Sequence, residues 1–123
     1  MVSTLLVTTG PTETKMGNDV LGGFEHQVLL AILRLDEEAY SVPIVLELER
    51  RTGKTVAASQ VYVTLRRLEK RGLVSSRFEP PPAAEGGRER RVFRLEAAAI
   101  EVLRESKRVF GRLWDGLPVL DEA

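Results

Sequence analysis

From Ala58 to Arg71 the apolar and polar residues recur with the period of an α-helix. At about 100° per residue, Val61, Leu65 and Leu68 share one narrow stripe, and Gly72 continues its line. Ser59, Val63, Arg66 and Lys70 point the other way, with Arg67 beside them. The pattern predicts a helix buried along one side and basic along the other. Gly72 is placed to leave that helix through a left-handed turn, and Leu73-Val74 begin an extended run.

The same reasoning places elements on either side. Phe24 to Leu35 reads as a first helix whose centre, Val28 to Leu33, is apolar all round. Such a helix is buried all round, so in a small protein its second face is expected to meet another subunit. The acidic link Asp36-Glu37-Glu38 follows. Ser41 is placed to cap a second helix with Pro43 in its first turn, where a missing N–H is tolerated. Ile44, Leu46 and Leu48 supply its apolar contacts, and Thr52-Gly53 end it. The short turn Lys54 to Ala57 then separates two helices at a spacing that suits a helix-turn-helix.

Downstream, Val74 to Phe78 and Arg91 to Leu95 read as two strands. The proline- and glycine-rich run from Glu79 to Arg88 between them cannot continue a ladder, so the pair is a hairpin with a loop tip. Glu96 to Trp114 reads as a final helix, in which Ile100, Leu103, Lys107, Phe110, Trp114 and Leu117 recur three and four apart, as a seam against another helix does. The expected fold is mainly α with a small β-hairpin. It comprises a flexible tail over residues 1–20, a winged helix-turn-helix over 21–95 and a C-terminal dimerisation helix over 96–117. Met16 is a second candidate start of translation, which N-terminal sequencing of the native protein settles.

Composition narrows the chemistry. The 123 residues are 43% apolar, enough for one packed core. No cysteine and a single histidine, His26, leave no thiolate nucleophile, no disulfide framework and no cluster of soft metal ligands. We find no nucleophile–base set, no phosphate-binding glycine loop and no apolar run long enough to cross a bilayer. The expectation is a non-enzymatic cytoplasmic protein without a cofactor. Net charge is zero, but its distribution is polarised. Residues 50–94 hold 12 Lys/Arg against 4 Asp/Glu, a net of +8, and the remainder holds 6 against 14, a net of −8. One surface is therefore suited to a polyanion.

With the elements in this order, the chain resembles the PadR-type family of bacterial transcriptional regulators. Four stretches carry the resemblance: Phe24 to Leu33, Ala39 to Ile44, Val61 to Val74, and Gly86 to Leu95. The resemblance implies a winged helix that binds double-stranded DNA and a C-terminal helix that builds a homodimer, here of the short, single-helix branch. It further implies repression of a nearby promoter, relieved by a small aromatic or amphipathic effector. The chain departs from the family pattern in three places. Ala57 stands where a Ser or Thr usually opens the recognition helix, Leu95-Glu96-Ala97-Ala98-Ala99 replaces a Leu-Thr-Pro-x-Gly entry, and Pro80-Pro81-Pro82 stiffens the wing tip.

On this reading Ser59, Gln60, Val63 and Thr64 are placed to reach base edges of a pseudo-palindromic operator. Arg66, Arg67, Lys70, Arg88, Arg90 and Arg91 are placed to grip phosphates. Tyr62 either bonds a phosphate or packs beneath the wing. Phe110 and Trp114 either line an effector cavity or pack the dimer. The bland alternative for the basic face is a solvated helix surface. The functional alternative is a winged-helix protein-interaction module without DNA binding.

Overall fold

The computed structural model describes residues 21–80 and 89–117. Helix α1 (Gly23–Leu35) leads through a single 3-10 turn (Asp36–Glu38) into α2 (Ser41–Thr52) and α3 (Ala58–Lys70). Strands β1 (Val74–Glu79) and β2 (Arg90–Leu95) form an antiparallel hairpin with Val74 opposite Leu95 and Glu79 opposite Arg90, and α4 (Ala97–Trp114) follows. The tail expected over residues 1–20 and the wing tip from Pro81 to Arg88 lie outside the described residues.

The core gathers Val28, Leu29 and Ile32 of α1, Ile44 and Leu48 of α2, and Val61, Leu65 and Leu68 of α3. Val74 and Phe93 close it from the hairpin, and Ala99 and Leu103 from the start of α4. The three α3 residues are fully buried, worth about 1.5–3 kcal/mol each by area. A two-stranded hairpin is marginal by itself, and this one is docked by its inner face. A backbone bond from Phe93 N–H to the Ala39 carbonyl, 2.8 Å, ties β2 to the segment before α2.

Two local expectations are corrected. Tyr40, not Ser41, is the N-cap of α2, and Ser41 is its first helical residue, with no side-chain cap bond at that end. Leu46 is 58% exposed although it was expected in the core. It sits two residues from both Ile44 and Leu48, about 200° round a helix, so burying them turns it outward. Gly72 has φ +77°, the left-handed exit expected after α3, and Gly53 ends α2 at φ +74°. On α2 the buried Glu47 receives both Arg50 and Arg51. The Arg51 hydrogen bond, with the Arg50 charge, holds its carboxyl below the ordinary carboxylate range against the opposing effect of burial. A lowered folded-state pKa adds stability that is present at neutral pH and fades as pH falls through that lowered value.

The N-terminus of α3 lacks a side-chain cap. Ala57 occupies the position with extended φ −79° and ψ 130°, and neither Thr55 nor Ser59 takes over the role. Its backbone already suits a hydroxyl cap, so Ala57→Ser is expected to stabilise the protein by about 1 kcal/mol. In a thermal melt that corresponds to a rise of roughly 4 °C for a chain of this size. An unchanged or lowered midpoint contradicts this account of the α3 start.

Candidate nucleic-acid interface

The turn between α2 and α3 is fixed from the side of α2. The Glu49 carboxylate accepts the Val56 N–H at 2.9 Å, and Thr52 donates its hydroxyl to the Leu48 carbonyl at 2.8 Å while accepting the Lys54 N–H at 3.2 Å. α3 leaves this turn with its apolar stripe inward. Ser59, Gln60, Tyr62, Val63, Arg66, Arg67 and Lys70 are all exposed on its outer side. Thr64 is not: at 3% exposure it lies in the interior beside Leu65 and Leu68. Its expected place at a base edge is therefore withdrawn, because on a helical wheel it falls about 40° from Leu68 and belongs to the buried flank.

Among the described residues Arg66, Arg67 and Lys70 form no ion pair with a carboxylate. Arg66 donates to the Tyr62 hydroxyl at 2.8 Å and lies 5.8 Å from its ring centre. Tyr62 thus stands on the outer surface with its hydroxyl beside a guanidinium, not beneath the wing. Val63, 51% exposed, is an apolar side chain on an otherwise polar face.

The neighbouring charges of α3 are used internally. Arg71, its C-cap, donates to Glu25 Oε1 at 2.8 Å, and the same oxygen accepts the Gly22 N–H at 2.9 Å at the start of α1. Glu69 accepts Ser76 Oγ–H at 2.8 Å and the Arg91 guanidinium at 3.2 Å. Arg90 stacks on the Tyr40 ring at 4.2 Å. Successive strand residues point to opposite faces, so β2 sends Arg91 toward α3 and Arg90 toward the start of α2. Both wing arginines expected on phosphates are thus engaged within the chain, and Arg88 lies outside the described residues. Arg77 pairs with Glu79 at 2.5 Å. Arg94, exposed and in no ion pair among the described residues, is the hairpin cation that sequence reasoning passed over. It lay in the basic segment, but pattern alone does not separate it from its neighbours.

The expected seam on α4 divides into two parts. Leu103 is 8% exposed and packs with Ala99 into the core of its own chain, so it is not free to face a partner. Ile100 is half-buried, whereas Lys107, Phe110, Trp114 and Leu117 are exposed. Val109 and Leu113, absent from the expected seam, are exposed as well. A groove of about 710 Å³ runs between Leu30 and Leu33 of α1 and Phe110 and Trp114 of α4, and His26 and Lys107 also line it. Among the described residues no group of acidic or imidazole side chains could hold a metal ion, and no helix is long and apolar enough to cross a membrane.

The family model described as the transcriptional regulator PadR-like family matches residues 29–105. A PadR family transcriptional regulator from Eggerthella lenta DSM 2243 is similar over 100% of this chain and 98% of its own, at 27% identity and a TM-score of 0.59. A PadR-like transcription factor from Bacteroides fragilis is similar in fold over 89% of this chain and 98% of its own, at 20% identity and a TM-score of 0.61. The Aeropyrum pernix ORC1 protein, solved in complex with DNA, shares the fold over 80% of this chain but 28% of its own, at 24% identity and a TM-score of 0.59. No curated protein matches the sequence.

The geometry separates displayed cations from structural ones. Replacing Arg66, Arg67 and Lys70 by Gln is expected to leave the folding free energy within about 0.5 kcal/mol per site. Replacing Arg71 by Gln, which removes the charge partner of the largely buried Glu25 and leaves it only the Gly22 N–H, is expected to cost about 2 kcal/mol. Urea denaturation checks this, and equal effects at the two kinds of site contradict the assignment.

Proposed function

Because the chain belongs to the PadR-like family of transcriptional regulators, a family of DNA-binding proteins rather than enzymes, we propose that it is a homodimeric repressor acting on a pseudo-palindromic operator. The observation that carries this reading is the outer face of α3, where Arg66, Arg67 and Lys70 stand exposed without carboxylate partners among the described residues. Ser59, Gln60 and Val63 near the start of that helix are the groups to reach base edges in the major groove. Val63 is suited to a thymine methyl and Gln60 to adenine. Arg66, Arg67 and Lys70 contact phosphates, and Tyr62 positions Arg66 beside them. Residues 21–95 form the DNA-binding domain and residues 96–117 the dimerisation helix. A regulator of this kind works where the chromosome is, in the cytoplasm.

Dimerisation is the natural use of the exposed apolar groups on the outer half of α4 and on α1. Val109, Phe110, Leu113 and Trp114 lie on one, and Leu30 and Leu33 on the other. Leu30, Leu33, Phe110 and Trp114 line one groove, and apolar surface gathered in this way is characteristic of interaction sites. The groove beside Trp114 has the volume of a small-molecule site. A bound aromatic or amphipathic effector there changes the separation of the two recognition helices and favours the DNA-incompetent state.

Selection of bound duplexes from a random pool at two salt concentrations tests the reading. The expected product is an inverted repeat with half-site centres about 34 Å apart, or a multiple of that spacing, bound more weakly at the higher salt. Trp114 is the only tryptophan, so its emission reports directly on ligands that release the DNA. A pool without enrichment, with affinity indifferent to salt, overturns the proposal.

A further inference from the structure

Glu69, Ser76 and Arg91 close a three-membered ring of hydrogen bonds between the recognition helix and the hairpin. Arg91 Nε donates to Ser76 Oγ at 2.9 Å, Ser76 Oγ donates to Glu69 Oε2 at 2.8 Å, and Arg91 Nη2 donates to Glu69 Oε1 at 3.2 Å. Each member comes from a different element: Glu69 from the last turn of α3, Ser76 from β1 and Arg91 from β2. The hairpin register, Ser76 opposite Phe93 and Phe78 opposite Arg91, places all four on one face of the sheet. The Arg91 guanidinium lies 5.3 Å from the Phe78 ring centre and 5.8 Å from that of Phe93, so two aromatic rings confine it as well.

We propose that this ring is a strut that sets the angle between α3 and the wing, and that Arg91 is a positioning residue, not a phosphate contact. The proposal rests on the reading of α3 as a DNA-recognition helix. The covalent link alone does not fix that angle: α3 joins β1 through Arg71, Gly72 and Leu73, with Gly72 at φ +77°. The apolar contacts of Val74 and Phe93 hold the inner end of the hairpin. Phe78, next to the tip, is exposed, so the polar ring is the outermost tie to α3 among the described residues. Glu69 also sits next to Lys70 in the sequence, where an unpaired carboxylate would repel a phosphate. Pairing with Arg91 neutralises it and turns an electrostatic liability into a mechanical link. Charge-assisted bonds of this kind are stronger than neutral ones and fix direction as well as distance.

The absence of cysteine allows a clean test in the full chain, with Gln60→Cys on α3 and Glu89→Cys on the hairpin carrying spin labels. The labelled parent is expected to give one narrow distance distribution. Arg91→Ala and Ser76→Ala broaden it, and the reversed pair Glu69→Arg with Arg91→Glu narrows it again. An unchanged distribution in Arg91→Ala, with the fold verified by its melt, overturns the strut. Should Arg91→Ala fail to fold, Ser76→Ala, which removes one hydroxyl and no charge, decides the matter by the same criterion. On selected duplex, Arg91→Ala is expected to bind on the order of five- to tenfold more weakly. Its slope of log affinity against log salt should match the parent, whereas loss of a phosphate contact lowers the slope by about 0.9. Glu69→Ala is expected to weaken binding too, and tighter binding there contradicts the strut. If the parent itself does not bind duplex, the recognition reading fails while the distance measurement still judges the strut.

Discussion

The placement of every functional group in this protein depends on the burial of one stripe of α3. Val61, Leu65 and Leu68 are fully enclosed by α1, α2 and the base of the hairpin. The helix has no side-chain cap at its start, and its outer side carries cations. Arg67 and Lys70 in its last turn suit the helix dipole, but an uncapped helix of 13 residues is marginal in water even with good formers. Packing therefore supplies the stability, and packing also fixes the rotation of the helix about its axis. Once Val61, Leu65 and Leu68 are inward, Val63, Arg66, Arg67 and Lys70 have one direction left.

Charge is then sorted around that helix. The basic segment spanning residues 50–94 suggests a uniformly cationic surface, but many of its members are engaged inside the chain. Arg71 joins Glu25, Arg91 joins Glu69, Arg77 joins Glu79, and Arg50 and Arg51 share Glu47. Arg66, Arg67, Lys70 and Arg94 form no such pairs among the described residues. The internal pairs do more than neutralise. The Arg71–Glu25 pair spans 46 residues of sequence and the Arg91–Glu69 pair 22, so both tie the C-terminal end of α3, one to α1 and the other to the hairpin.

Much of this was legible in the sequence because it is periodic or local. α1, α3, both strands and α4 begin and end within a residue of their expected bounds, since Gly53, Gly72 and the hydrophobic spacing act over one turn. The start of α2 was misread by the same local logic, because Ser41 has the right chemistry for a cap and the adjacent Tyr40 has the backbone for it. Thr64 was legible but missed: its polar side chain suggested the outer face, while its wheel position lies beside Leu68. Leu46 failed because an apolar residue was assigned inward by type rather than by angle. On α4 a single run of spaced apolar residues serves two purposes. Leu103 packs in the core, while Phe110 and Trp114 on the same line extend past it. Periodicity marks the stripe and says nothing of where the core ends beneath it. The pairings of Arg71 and Arg91 were not legible at all, since a charge pattern does not name a partner dozens of residues away.

The sorting of arginines into displayed and structural ones can be observed directly through their side-chain Nε–H signals by NMR as duplex is added. The account predicts that the signals of Arg66 and Arg67 shift on binding while that of Arg71, held by Glu25, stays in place. Movement of Arg71 with Arg66 and Arg67 unchanged would show that the outer face of α3 is not the surface that meets DNA.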